Sequence, residues 1–443
     1  MKENIKFNGE CCDITDSKDK AGLLAEHSAR SGVLKVDSGT FYFKNNNMLI
    51  PMNDNQTKRL LKSMILPAQR LMIKSSEISE AIERLRDYDG IAISIREIKK
   101  ATKFKINLLN GVYDIKSGKL EEKSPDDIFT YMLNFNYVEN ASLEDAPTFK
   151  YFTETSIGMN NLDCFLEMAG YAFSSLTDAR KCFVLIGNER FGKSLSIDLL
   201  EYAVGEENTS AVPLSDLGTD QSKIKYLESK LNLSRETSSK AMRNDDAFKS
   251  LISSEKITGR RLYENSKEFV PETKFIFASN FFPEFKNLDT AILDRIIPIY
   301  FKDRVAGKIE TNINLKEELI KETDVIFSLA LDKLPQLLKS GYQFSISDAS
   351  QETLSHKRKE VLNASEFITE NFTLDSSSEI SSVELYNSYK IWCEDNGIVA
   401  EGKKTFYGKV KDFSITIRYK KVMVNGKKVN GFKGLKRVCD YNE

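Results

Sequence analysis

Eight consecutive residues, Gly187-Asn188-Glu189-Arg190-Phe191-Gly192-Lys193-Ser194, have the types and spacing of a phosphate-binding loop, G-x-x-x-x-G-K-[ST]. The two glycines let the backbone turn tightly enough for its N–H groups to point inward at a triphosphate. Lys193 would reach the β- and γ-phosphates and Ser194 would hold Mg²⁺, with Leu195 completing the nucleotide-binding set. Four fixed positions can also match a plain tight turn, so the surroundings carry weight. Cys182 to Ile186 form an apolar run that reads as a buried strand, and apolar positions from Leu195 to Val204 recur at helical spacing. A helix start just after the loop would add partial positive charge where phosphates sit. The expected cofactors are ATP and Mg²⁺.

Such a loop works with a second strand ending in an acidic residue. Leu231-Asn232-Leu233-Ser234-Arg235-Glu236 fits, with Glu236 polarising water or holding the metal; the alternative is a surface charge after a strand. Lys274 to Asn280 is an apolar strand ending in an amide, and Asn280 could orient the attacking water, although Asn also simply starts turns. Between these runs, residues 255–270 read as a hairpin around Tyr263-Glu264-Asn265-Ser266. Arg260, Arg261 and Lys267 crowd its arms and tip, and cations beside an aromatic suit single-stranded DNA. A solvated charged hairpin is the alternative. Arg295, set between apolar stretches in 291–299, could reach a neighbouring subunit's γ-phosphate or could pair with Asp294 or Asp289.

The elements that must position these residues belong to a chain of 443 residues, too long for one core. The reading is 1–150 as a flanking and oligomerisation region, 151–342 as the nucleotide unit, 343–363 as a polar linker or exposed helix, and 364–443 as a last domain. The net charge of −1 leaves any nucleic-acid affinity to local patches. The sequence has no 18-residue apolar run and a polar start without a signal-type apolar segment, so a cytoplasmic, membrane-free protein is expected. Six scattered Cys without C-x-x-C, and only His27 and His356 as imidazoles, argue against a zinc site and for reduced structural thiols.

The order of these motifs resembles the superfamily 3 helicases, specifically the poxvirus-type and phage or plasmid helicase-primases. The resemblance runs over about residues 30–302 and includes Asn110-Gly111-Val112-Tyr113-Asp114-Ile115, Lys123-Ser124-Pro125-Asp126 and Phe165 to Tyr171. It implies an AAA+-like α/β core with an α-rich flanking region, a sensor role for Asn280, a channel hairpin at 255–270 and an in-trans role for Arg295. Two features depart from the pattern. Glu236 stands alone where many members have paired acids, and the large primase domain of many relatives has no counterpart in the residues before the flanking region. A separate primase partner is therefore an open expectation.

The last unit looks like the winged-helix tail of the same family. Leu385, Tyr386, Tyr389, Trp392 and Cys393 share one helical stripe, Lys403 to Lys411 reads as a cationic second helix, and 422–429 is a hairpin with an Asn-Gly turn. From 401 to 443 there are 12 Lys/Arg against 4 Asp/Glu, a local excess that marks a DNA-binding face. Lys403, Lys404 and Lys409 would read the groove, while Lys427 and Lys428 would touch backbone. The resulting expectation is a homohexameric, ATP-dependent DNA helicase that initiates replication of a phage, plasmid or island-like element. It would carry single-stranded DNA in its channel and bind duplex origin through its C-terminal domain. A DNA-binding regulator that uses ATP only for assembly is the rival, and a packaging or segregation ATPase is disfavoured by the hairpin.

Overall fold

A computed structural model describes residues 5–15, 17–235, 242, 244–259, 267–302, 314–424 and 426–438, with only the backbone of 227, 228 and 267. Contacts divide the chain into two compact units, 1–286 with 295–347, and 287–294 with 348–443.

The flanking region carries two small sheets beside its helices. It opens with α1 (Lys20–Arg30), then β1 (Leu34–Asp37), β2 (Thr40–Asn45) and β3 (Met48–Met52) form an antiparallel sheet. Every second residue of β1 and β2 is buried (Leu34, Val36, Phe41, Phe43), the alternation of a one-sided sheet. Ser38 and Gly39 both have positive φ, as a two-residue hairpin turn requires. Helices α2 (Asp54–Ser63), α3 (Ser75–Arg86) and α4 (Ile95–Ala101) follow. Helix α2 ends before Pro67, which disfavours helical backbone at Leu66 (ψ 132). A second antiparallel sheet follows, made of β4 (Lys105–Asn107), β5 (Val112–Asp114) and β6 (Lys119–Glu121).

Helices α5 (Pro147–Phe152) and α6 (Leu162–Phe173) are separated by a π-helical turn over Thr153–Ile157 that Gly158, with φ +89, terminates. Helix α6 is buried on all sides from Cys164 to Phe173. The nucleotide core then runs β7 (Cys182–Ile186), α7 (Lys193–Val204), β8 (Thr209–Ser210), α8 (Asp220–Glu228), β9 (Leu231–Ser234), α9 (Asp245–Ile252), the short pair β10 (Ile257–Gly259) and β11 (Lys267–Phe269), and β12 (Lys274–Ser279). After α10 (Thr290–Leu293), which belongs to the other unit, come β13 (Ile296–Tyr300), α11 (Leu315–Lys321) and α12 (Thr323–Lys339). Strands β13-β7-β12-β9-β8 form one parallel sheet in that order. Interior strand β7 is apolar and buried at all five positions, as a strand covered on both faces must be. Pro298, which cannot donate to a ladder, sits on edge strand β13. Gly170 lets α6 approach α12, since a Cβ there would lie 2.4 Å from the Ala330 carbonyl oxygen.

The C-terminal unit contains α13 (Asp348–Asn371), β14 (Phe372–Ser381), α14 (Ser382–Asp395), α15 (Lys403–Phe413), β15 (Arg418–Val424) and β16 (Lys427–Arg437). The stretch read as a linker or exposed helix is mostly helix. It continues without a break into Ala364, Phe367 and Ile368, which are core. Phe367, Tyr389 and Phe406 pack together, the last two stacked at 4.0 Å. Antiparallel strands β14-β16-β15 close the unit.

Candidate nucleotide site and nucleic-acid faces

The loop from Gly187 to Ser194 leaves the carboxyl end of β7 and enters α7, the edge of a parallel sheet at which ligands bind. Gly192 has φ +91, and a Cβ there would stand 2.6 Å from the Phe152 ring, so conformation and packing both require glycine. Arg190 also has positive φ (+66). Alternating backbone hands of this kind turn successive N–H groups into a concavity that accepts an anion. Asn188, Glu189, Arg190 and Ser194 are exposed, Phe191 and Leu195 half-buried.

Lys193 is 8% exposed. Its ammonium donates to the carbonyls of Gly187 and of Asn188 (2.7 Å), and to Asn280 Oδ1 (3.2 Å). Burial holds its pKa below that of a free lysine, with Glu189 opposing. Asn280 follows the last residue of β12, and β12 is hydrogen-bonded beside β7, with Ser279 opposite Ile186. That register brings the two residues together although 87 positions separate them.

Strand β9 lies on the other side of β12, with Ser234 opposite Phe277. Its carboxyl end therefore points the same way as the loop. Glu236 itself lies outside the described residues, as do Arg260 and Arg261. Arg235, which the sequence reading passed over, forms ion pairs with Asp198 and Glu201 of α7, and Lys316 adds a 2.8 Å contact to Asp198. These acids clamp the exit of β9 to the helix that follows the loop. The hairpin at 255–270 is present at its base, where Ile257 to Gly259 pair with Phe269 to Lys267. Lys267 is in that strand.

Arg295 is placed elsewhere. It precedes β13, whose Ile296 pairs with Cys182, so it sits at the amino edge of the sheet. The length of β7, about 13–16 Å at 3.3 Å per residue, separates it from the loop of its own chain. Its guanidinium donates to Ser253 Oγ (2.8 and 3.0 Å), and its carbonyl accepts from Cys182 N–H. An action on its own γ-phosphate is thereby excluded.

Three family models match this chain. Residues 25–157 match a D5 N-terminal-like model, 364–434 a poxvirus D5 protein-like model, and 185–295 a family of unknown function (DUF5906). The D5 pair brackets the loop, the hairpin and the Asn strand in the expected order. These matches support the resemblance to the phage and poxvirus type of superfamily 3 helicase-primases. A protein of Acanthamoeba polyphaga mimivirus named "Putative helicase L207/L206" is 24% identical over 254 residues, 54% of this chain, which spans only about a quarter (26%) of that relative. Two structures of the NrS-1 C-terminal region share the fold at TM-scores of 0.51, with 12% and 13% identity, over 93% and 95% of this chain and 98% and 100% of theirs.

The poxvirus D5-like segment carries the cations expected to meet DNA. Lys404, Lys427 and Lys428 are exposed and have no carboxylate partner among the described residues. Lys403 is exposed, with its ammonium 5.5 Å from the Tyr386 ring centre. Lys409 differs from these: its ammonium is turned inward onto the Val361 carbonyl (3.0 Å) and the Glu401 carboxylate, tying α15 to α13. Lys411 sits 4.9 Å from the Tyr419 ring centre. Along the buried stripe of α14, Trp392 is half-buried and its indole donates to Glu370 (2.7 Å).

Proposed function

We propose that the chain is an ATP-driven DNA helicase acting in replication, built as a hexamer. The observation that carries this reading is the Lys193–Asn280 contact at 3.2 Å, which puts a phosphate-loop ammonium and a strand-terminal amide at one point. The loop concavity, the α7 N-terminus and exposed Ser194 fit an MgATP complex: backbone N–H groups and Lys193 for the phosphates, Ser194 Oγ for the metal. Bound Mg²⁺ would neutralise charge developing on the β- and γ-oxygens. Asn280 would orient the attacking water and Glu236 polarise it. Arg295, at the wrong end of its own sheet, would serve the neighbouring subunit's nucleotide. The 255–270 hairpin would carry one DNA strand.

For the C-terminal unit we read a winged-helix module that binds duplex origin. The order α13, β14, α14, α15 and then the β15–β16 hairpin supports this, as does the basic excess between 401 and 443. The test is ATPase stimulation by forked DNA together with strand displacement, in wild type and Lys193→Ala. A wild type that hydrolyses ATP on DNA without separating strands would favour the rival, a regulator whose nucleotide controls assembly alone.

A further inference from the structure

The N-terminal part of the first unit has an open cleft of about 530 Å³ that the nucleotide chemistry does not use. One wall is the chain from Lys6 to Glu10, another is the end of α1 with His27 and Arg30, and the third is the end of β2 from Phe43 to Asn46. These walls are fixed to one another. His27 Nε2 donates to the Glu10 carbonyl (2.8 Å), and the Phe7 and His27 rings meet edge to face, 6.3 Å apart and 78° between planes. Lys44 N–H donates to the Val33 carbonyl (2.7 Å), which joins the third wall to the residues after α1.

Three rings and three cations share this lining. Phe7 and His27 are half-buried and Phe43 is buried. Arg30 is paired with Glu26 outside the cleft, whereas Lys6 and Lys44 have no carboxylate partner among the described residues. Glu10 is the acidic residue of the lining. Ammoniums without a carboxylate partner beside half-buried rings are the chemistry that holds a phosphodiester chain while its bases stack. The volume fits a nucleotide or two. The rim residues Lys6, Asn8, Glu10, Arg30, Asn45 and Asn46 are all exposed, so the site is an open trough, which suits a polymer passing through better than an enclosed small molecule.

We infer that this cleft is a second binding site for single-stranded DNA, with Phe7 and His27 as the stacking surface and Lys6 and Lys44 as phosphate contacts. It rests on the reading that DNA is the substrate, and not on hydrolysis or unwinding. It gives the chain a grip on a separated strand at a place remote in sequence from the hairpin.

The experiment uses the full chain and a fluorescein-labelled oligothymidylate of about 15 nucleotides, followed by anisotropy from 50 to 300 mM salt. Lys6→Gln/Lys44→Gln should weaken binding about tenfold at the low-salt end and reduce the salt slope by about 1.4, two single-strand contacts at about 0.7 each. ATPase without DNA should not change. The same oligonucleotide carrying 5-iododeoxyuridine should photocross-link in wild type to the peptide containing Phe7 or His27, which needs no mutant to fold. If the double variant binds with the wild-type slope, or the cross-links fall only in 255–270, the cleft is not a DNA site and the motor reading stands. If wild type binds no single-stranded DNA at all, both readings fail together.

Discussion

Lys193 is the residue on which the nucleotide site turns. It is buried against its own loop and held by two carbonyls and Asn280, so its removal takes the ammonium out of the site together with these local contacts. Lys193→Ala should reduce ATP hydrolysis by at least about 10²-fold, the scale of losing one preorganised charge donor, with circular dichroism unchanged. Unaltered phosphate release by the purified variant would remove the nucleotide assignment. Gly192 is a different kind of position. An alanine there meets both a φ of +91 and a Phe152 ring at 2.6 Å, so Gly192→Ala should destabilise the first unit by about 2 kcal/mol or more and weaken nucleotide binding together. A differential scan with and without nucleotide reads both. Arg295→Ala should bind nucleotide and hydrolyse it poorly, by about 10³-fold or more if it acts as an in-trans finger. Because it lies at the far edge of its own sheet, mixing it with Lys193→Ala should restore activity. No restoration on mixing would leave Arg295 as a structural partner of Ser253.

At the scale of elements, the amino edge of the sheet carries an unusual pair. Lys230 precedes β9 and Lys274 begins β12, and both ammoniums reach the Ser174 carbonyl (3.1 and 3.5 Å). Lys230 also lies 3.7 Å from the Tyr131 ring centre. Burial pulls Lys230 down to about 7, and burial followed by the neighbouring Lys230 charge pulls Lys274 well below its ordinary value, while Glu272 opposes both. The unfolded chain therefore binds more protons than the native one between about pH 7 and the free-lysine range near 10.5. Stability from these groups should rise with pH across that window and be lowest below it. Denaturant midpoints at pH 7, 8 and 9 should climb, and Lys230→Met should flatten the climb; an equal slope in the variant would assign the effect elsewhere. The hairpin between β10 and β11 belongs to this scale too. Arg260, Arg261 and Lys267 changed together to Ala should leave basal ATPase intact and remove its stimulation by DNA, whereas loss of basal turnover would place them at the nucleotide.

For the whole molecule, the division between units decides where the chain can be cut. A truncation at 364 would sever α13 inside its own core, through Ala364 and Phe367. Cutting before Asp348 removes the C-terminal unit intact apart from 287–294, whose buried Ile292 and Leu293 would then lose their partners. The 1–347 chain should keep ATPase, at lower thermal stability, and lose salt-sensitive duplex binding, with a slope near −0.9 per phosphate contact removed. Retention of specific duplex footprinting by that fragment would move recognition into the first unit.

What the sequence determined by itself was local. The loop, its flanking strand and helix, the strand ending at Asn280 and the hairpin base all follow from short-range patterns: apolar runs, glycine pairs and 3.6-residue spacing. Tertiary structure decided whatever depends on strand order and on packing. Asn280 meets Lys193 because β12 pairs directly with β7, a neighbour relation that no spacing in the chain encodes. Arg295 falls at the opposite sheet edge for the same reason, since β13 runs parallel to β7 and begins beside Cys182. Lys409 looked like its exposed neighbours because charge alone does not say which face of a short helix is covered; α13 and Glu401 cover it. The three- to six-residue strands of the flanking region carry too few alternations for the sequence to fix how they pair. Contacts between distant segments give such strands their stability, and those contacts exist only once the chain has folded.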